Sequence, residues 1–383
     1  MKKVSNMLLI GIFMLIITVP YLFAHRDFEE RVSDTENRML AAYPRILDDT
    51  TKKFNSNYIK EFESWLSDNL RGRTILVEMN AGIQYQLFHR IVKNDTIEGK
   101  NHWLFINSEE MFQEYQHLNL LDEDSLELVV DNLQELSEYL KEKGVTLYYF
   151  QCLDKESIYP QEYIEGIHQI GECSRAEQLI NELQRKTDIP VIFPQKELQE
   201  KAKKDLIYYQ YVDLEHWNEK GAYIGYRALL DRIREDYEKA EVLELDDYNQ
   251  LKIEKTTDIY GYTYPYSEIC PVYEVKNPAA IEKTEEIMGI WDYLVYKEHT
   301  HYYENNQIDS DLKILVVGDS FIRMFLKDDI AEGFSETLSI DWMNLPLLDK
   351  IVQDFQPDIV VLESTESTLG TVIGYLDQME FVK

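Results

Sequence analysis

The sequence predicts an α/β protein built on a doubly wound, mostly parallel sheet with flanking helices. Three observations point there. Short apolar runs, at 145–151, 191–193, 314–317 and 359–362, recur along the chain. Such runs, apolar on successive residues, suit strands buried on both faces. Helical stretches with one apolar face lie between them, as expected of βαβ connections.

Taken in order, the chain starts with Lys2 and Lys3, then a charge-free stretch from residue 7 to residue 24, then the mixed-charge His25-Arg26-Asp27-Phe28-Glu29-Glu30. About 18 helical residues at about 1.5 Å each would just reach across a bilayer. Positive charge on the leading side places the N-terminus in the cytoplasm and the rest outside. The expectation is an uncleaved signal-anchor at 1–24, since Leu22 is bulky for the small-x-small site of a cleaved leader. A helical stalk or entry segment follows at 25–98. In it, Phe54, Tyr58, Phe62, Leu66 and Leu70 recur every four residues, and Trp65 widens the stripe. A second helix is expected over 75–91.

From Trp103-Leu104-Phe105-Ile106 onward the pattern alternates strand and helix, giving one catalytic-type domain over 99–383. The helix at 125–143 lines Leu126, Val129, Val130, Leu133, Leu136 and Leu140 on one face, and Gly144 ends it. Further helices are expected at 176–187 and 221–237. A Tyr-rich insertion at about 243–309 breaks the alternation. Its Tyr260-Gly261-Tyr262-Thr263-Tyr264-Pro265-Tyr266 reads as an exposed hairpin whose rings pair with one another, the alternative being a stacking surface for sugar rings. Glu298-His299-Thr300-His301 reads as solvated loop rather than as a metal pair. No cofactor motif is evident, and no metal site is expected.

The chain has 71 acidic and 39 basic side chains and a net charge of -32. That field repels nucleic acid and anionic polymers. Cys152, Cys173 and Cys270 lack CxxC spacing and suggest neither zinc nor a disulfide framework, although one disulfide is open to them outside the cytosol. Cys152 follows a strand-like run and reads as a buried thiol.

Two motifs carry chemistry. The run Ile314-Leu315-Val316-Val317 leads into Gly318-Asp319-Ser320-Phe321, a strand turning sharply into a helix with serine at the turn. About a hundred residues upstream lies Asp213-Leu214-Glu215-His216-Trp217. A hydroxyl becomes nucleophilic when an imidazole takes its proton and a carboxylate holds that imidazole in the right tautomer. The expected assignment is Ser320 as nucleophile, His216 as base and Asp213 as its orienter. The Ser320 N–H is one oxyanion donor; Gly318, Asn344 and Arg323 are the further oxyanion or substrate-binding candidates.

With these motifs in place, the chain resembles the alginate O-acetylation proteins AlgX and AlgJ and the related DHHW proteins, which carry an SGNH-hydrolase-like domain. The resemblance rests on Glu36-Asn37-Arg38-Met39-Leu40, on 99–105, on Asp154-Lys155-Glu156-Ser157-Ile158-Tyr159-Pro160, on His216-Trp217 with Gly221-Ala222-Tyr223, and on Gly318-Asp319-Ser320-Phe321. The order, with Asp and His before Ser, is that family's permuted arrangement. Two departures stand out: Asp213 lies three residues before His216 rather than two, which leaves Glu215 as a further candidate helper, and Glu366 is followed by Ser367 where the family often has arginine. The resemblance implies a permuted SGNH-hydrolase-like fold and transfer of acetyl groups onto hydroxyls of an exported polysaccharide. It implies a membrane-bound O-acyltransferase as acyl donor. The alternatives are an anchored carbohydrate acetyl esterase and a catalytically inactive accessory protein of a polysaccharide-modification complex.

Overall fold

A computed structural model describes residues 2–22, 24, 31–33, 38–47, 52–70, 73–259, 261–287 and 289–379. Two compact units comprise it: Met1–Asn94 with Thr257–Pro265, and Asp95–Thr256 with Tyr266–Lys383. The charged segment 25–30, Glu36, Asn37 and Tyr260 from the sequence analysis lie outside the described residues.

In the first unit the helices are α1 (Lys2–Leu22), α2 (Tyr58–Asn69) and α3 (Arg73–Phe88). The expected transmembrane helix finds no support here: among the described residues no helix is long and apolar enough to cross a membrane. Trp65 of α2 is fully buried, with Tyr43 edge-on at 4.7 Å and Phe62 at 5.3 Å. Phe54, expected on the same stripe, precedes the helix and is exposed.

The second unit holds a seven-stranded sheet. Its strands are β1 (Thr146–Gln151), β2 (Val191–Ile192), β3 (Ile281–Glu282), β4 (His301–Glu304), β5 (Lys313–Gly318), β6 (Glu336–Asp341) and β7 (Ile359–Ser364). The order across the sheet is β2-β1-β7-β5-β6-β4-β3. Pairing is parallel from β2 through β6 and antiparallel at the β6/β4 and β4/β3 edge.

Alternation along the central strands sends side chains to two cores. Leu315 and Val317 of β5 face one cluster, together with Val129, Leu133 and Leu136 of α4 (Glu123–Glu142) and Leu179 and Leu183 of α5 (Arg175–Lys186). Ile314 and Val316 face the other, together with Tyr226, Leu229 and Ile233 of α6 (Glu219–Asp236). Two apolar faces require helices on both sides, which is why the sequence of these strands is apolar without interruption. Local signals set the helix ends. Asp122 caps α4, Ser174 and Glu177 form a capping box on α5, and Gly144 takes the positive φ of +78° that releases the chain into β1.

The insertion contains a long hairpin, Tyr248–Ile259 and Tyr262–Val275. Its tyrosines pack on other segments: Tyr264 lies 5.0 Å from Tyr85, and Tyr266 stacks at 4.2 Å on His102 and 5.5 Å on Tyr211. His301 is not in a solvated loop but begins β4, with its Nδ1 2.7 Å from Glu282. Cys152, Cys173 and Cys270 are all free thiols, Cys152 fully buried.

Leu315 is fully buried at the centre of the sheet. Leu315→Ala is expected to cost about 2–5 kcal/mol, seen as a lower denaturant midpoint with an unchanged slope.

Candidate active site

Strand β5 ends at Gly318, and Ser320 opens the helical turn that follows it. The turn is tight because of what lies beneath. A Cβ on Gly318 would stand 2.7 Å from Glu363 Oε2 and 2.7 Å from Ile322 Cγ1, so only glycine admits both neighbours. Glu363 Oε2 accepts the Asp319 N–H at 2.9 Å. The Asp319 carboxylate points inward and ties the turn down. Its Oδ1 accepts the Phe321 N–H at 2.9 Å, and its Oδ2 accepts the hydroxyls of Thr365 at 3.0 Å and Thr368 at 2.9 Å. Ser320 is thereby left facing out of the strand tip. A π-helical turn, Ile322–Leu326, continues the chain.

His216 arrives on the loop before α6. Its Nε2 is 2.7 Å from Ser320 Oγ, and its Nδ1 is 2.8 and 2.9 Å from the two Asp213 oxygens. The three-residue spacing works because Asp213 Oδ1 also accepts the backbone N–H groups of Glu215 at 2.9 Å and His216 at 2.8 Å. This Asx-type turn folds the loop back so that one carboxylate meets both the backbone and the ring. Glu215 Oε1 lies 3.6 Å from Nε2, on the side of the imidazole facing Ser320. Phe321 and Phe325 pack on the His216 ring at 4.9 and 5.6 Å. Trp217 is buried against Gly225 of α6, where a Cβ would come within 2.5 Å of the indole.

Electrostatics follow from this geometry. Burial pushes the Asp213 carboxyl up, but its hydrogen bonds to His216 and to backbone N–H groups outweigh that and hold it well below the usual carboxylate range. Burial lowers the imidazole, and Asp213, Glu215 and Asp319 overcome it, leaving His216 above its ordinary value. Burial pushes Glu363 well above the carboxylate range, with the Asp319 charge adding to the effect.

Asp213, His216 and Ser320 are therefore brought into one hydrogen-bonded chain, while the other candidates are engaged elsewhere. Asn344 is fully buried: its Oδ1 accepts the N–H groups of Val295 at 2.9 Å and Tyr296 at 3.1 Å, and its Nδ2 donates to the Tyr296 carbonyl at 2.9 Å. Arg323 Nη1 lies 2.7 Å from His299 Nδ1, beside Asp341. Gly318 is paired in the ladder with Asp341. The Ser320 N–H stands at a helix start, where first-turn donors lack a carbonyl one turn back.

Sequence reasoning missed the fully buried Lys155 and the nearly buried Glu268 as parts of this site. Lys155 Nζ donates to the carbonyls of Tyr209 at 2.9 Å and Asp213 at 2.6 Å. A charged residue between a strand and a short helix was the available signal for it; nothing in the hairpin sequence marks Glu268. A cleft of about 330 Å³ also adjoins the site through Phe325, lined by Tyr273, Tyr303, Met324 and the carboxylates Glu219 and Asp328. Among the described residues no cluster of three or more metal-ligating side chains occurs.

Residues 96–259 match the family model for the SGNH hydrolase-like domain of the acetyltransferase AlgX. The resemblance read from the sequence is borne out over that stretch, which contains Asp213 and His216 and stops before Ser320. No curated protein matches the chain. Among solved structures it is similar to Bacillus cereus PatB1, with TM-score 0.53 and 18% identity, covering 72% of this chain and 96% of that one. PatB1 with a sulfonyl adduct gives TM-score 0.54 and 18% identity, covering 73% and 99%. A DHHW family protein from Eubacterium siraeum gives TM-score 0.49 and 16% identity, covering 75% and 99%. The likeness to PatB1 shows a shared α/β fold, and the family-model match over 96–259 is what makes it SGNH-hydrolase-like.

Gly318→Ala should destabilise the domain by roughly 1–3 kcal/mol, because either Glu363 or Ile322 must move. The check is a lowered thermal midpoint, together with weakened His216–Ser320 coupling in the histidine NMR spectrum. Asp213→Asn should drop the His216 pKa, since burial then acts without its main opposing charge; an imidazole titration reads that directly.

Proposed function

We propose that the chain is an extracytoplasmic O-acetyltransferase that moves acetyl groups onto hydroxyls of an exported or cell-surface polysaccharide. The observation that carries the proposal is the Asp213–His216–Ser320 hydrogen-bonded chain at the tip of β5. The match of 96–259 to an acetyltransferase family model supports the reaction class. Lys2, Lys3 and the apolar stretch behind them support export.

In the proposed cycle, Ser320 Oγ attacks the acetyl carbonyl of a donor while its proton passes to His216 Nε2. The carbonyl π electrons move to oxygen, where the Ser320 N–H stabilises the oxyanion. Collapse breaks the bond to the leaving group, which takes the proton from His216. A sugar hydroxyl then enters, gives its proton to the same nitrogen and attacks the acetyl-enzyme. Collapse of the second intermediate forms the new ester and returns the proton to Ser320 Oγ. Asp213 stays ionised throughout and stabilises the imidazolium. Acetyl-CoA is absent outside the cytoplasm, so a membrane-bound O-acyltransferase is the proposed donor. Tyrosine rings and carboxylates in the neighbouring cleft are suited to stacking on sugar rings and accepting sugar hydroxyls, and their charge disfavours an anionic glycan.

The test uses the full-length chain, p-nitrophenyl acetate and short neutral glycans. Ester turnover is expected to fall by about 10³-fold or more in Ser320→Ala and His216→Ala. Acetyl on the glycan supports transfer, acetate alone supports the esterase, and no serine-dependent turnover in folded protein supports the accessory-protein reading. PatB1 has been solved with a sulfonyl adduct; on the proposal, a sulfonyl fluoride labels this chain in wild type and not in Ser320→Ala. Neutral His216 is the base, so kcat/KM should fall as pH drops through a value above the ordinary histidine value of about 6.5.

A further inference from the structure

The proposed cycle uses the side chain of Asp213 but does not explain what holds the segment that delivers it. Residues 209–213 form neither helix nor strand, so their backbone groups need partners from elsewhere. Two charged side chains from distant parts of the sequence supply them. Lys155, in the short helix after β1, donates to the Tyr209 and Asp213 carbonyls at 2.9 and 2.6 Å. Glu268, on the second strand of the hairpin, accepts the N–H of Gln210 at 2.9 and 3.0 Å through its two oxygens, and that of Tyr211 at 3.1 Å. The Leu104 N–H donates to the Gln210 carbonyl at 2.9 Å.

We infer that Glu268 and Lys155 are positioning residues that clamp the 209–213 segment from its N–H side and its carbonyl side, and so hold Asp213 against His216. The inference rests on the triad reading given above. Glu268 is 4% exposed whereas its neighbour Ile269 is 65% exposed. The hairpin thus turns a carboxylate inward and an isoleucine outward, the reverse of what apolar packing alone would select. Backbone donors at the inward position account for the reversal: a carboxylate accepts several N–H groups at once, which an alkyl chain cannot do. Lys155 lies under the ring of Phe105 at 5.1 Å, closed off from water. Burial lowers its pKa to about 8, and Asp213, Glu156, Glu268 and Glu215 act against that. The inserted hairpin accordingly belongs to the catalytic apparatus, although it touches neither nucleophile nor base.

The test compares full-length wild type with Glu268→Gln, Glu268→Ala and Lys155→Met. The readouts are kcat and KM for p-nitrophenyl acetate and the NMR titration of His216, including its Nδ1 proton. The charged groups facing His216 are Asp213, Glu215 and Asp319. Loosening Asp213 should lower kcat by about tenfold or more with KM little changed, Glu268→Gln losing less than Glu268→Ala. It should also lower the His216 pKa in every variant. Lys155→Met discriminates mechanisms, because loss of a nearby cation by itself would raise that pKa. A raised value there, or unchanged kcat and titration in folded Glu268→Ala, overturns the inference. If Lys155→Met fails to fold, the Glu268 pair decides. The NMR readout needs no turnover: a wild type that transfers no acetyl sinks the proposed function, while a lowered imidazole titration in Lys155→Met still supports the clamp.

Discussion

The Asp213 carboxylate is the interaction on which the site depends. It accepts two backbone N–H groups and the imidazole Nδ1 together, so the fold of the loop and the orientation of the base are one event. Those donors keep it ionised despite burial, and an ionised carboxylate in turn holds the Nδ1 proton in place and leaves Nε2 toward Ser320. Glu215, the other acid on this loop, flanks Nε2 and does not share that role.

On the other side of the site, rigidity comes from close approach. Gly318 lets Glu363 reach the Asp319 N–H, and the Asp319 side chain then closes the turn through Phe321, Thr365 and Thr368. Both halves of the triad therefore rest on carboxylates that bind backbone N–H groups. One set, Asp319 and Glu363, fixes the nucleophile; the other, Asp213 and Glu268, fixes the base.

Much of this was legible in the sequence. Strands β1, β5 and β7 are continuous apolar runs, and helices α4, α5 and α6 show clear periodicity with caps, so local patterning located them. Strand β6 was missed because Glu336-Thr337-Leu338-Ser339-Ile340-Asp341 alternates polar and apolar residues, yet Thr337 and Ser339 are buried as well. Strands β3 and β4 were hidden in the insertion, since an antiparallel edge needs no apolar run. Ser320, His216 and Asp213 could be read because their chemistry is in their residue types. Asn344 and Arg323 were plausible donors on type alone, and only tertiary partners reveal that both are engaged. Glu268 had no sequence signal, because its role is defined by which backbone groups the hairpin meets.

The carboxyl groups buried around the strand ends also alter what the acidity of this chain means. Burial pushes Asp154 and Glu363 well above the carboxylate range, and Glu366 to about 8. At neutral pH Glu366 is mostly protonated, and burial disfavours the charged form of the other two, so the folded molecule is less anionic than the formal charge of -32. The acidity that repels anionic polymers is thus a property of the surface, and part of what the sequence counts as charge is, in the folded protein, neutral packing material.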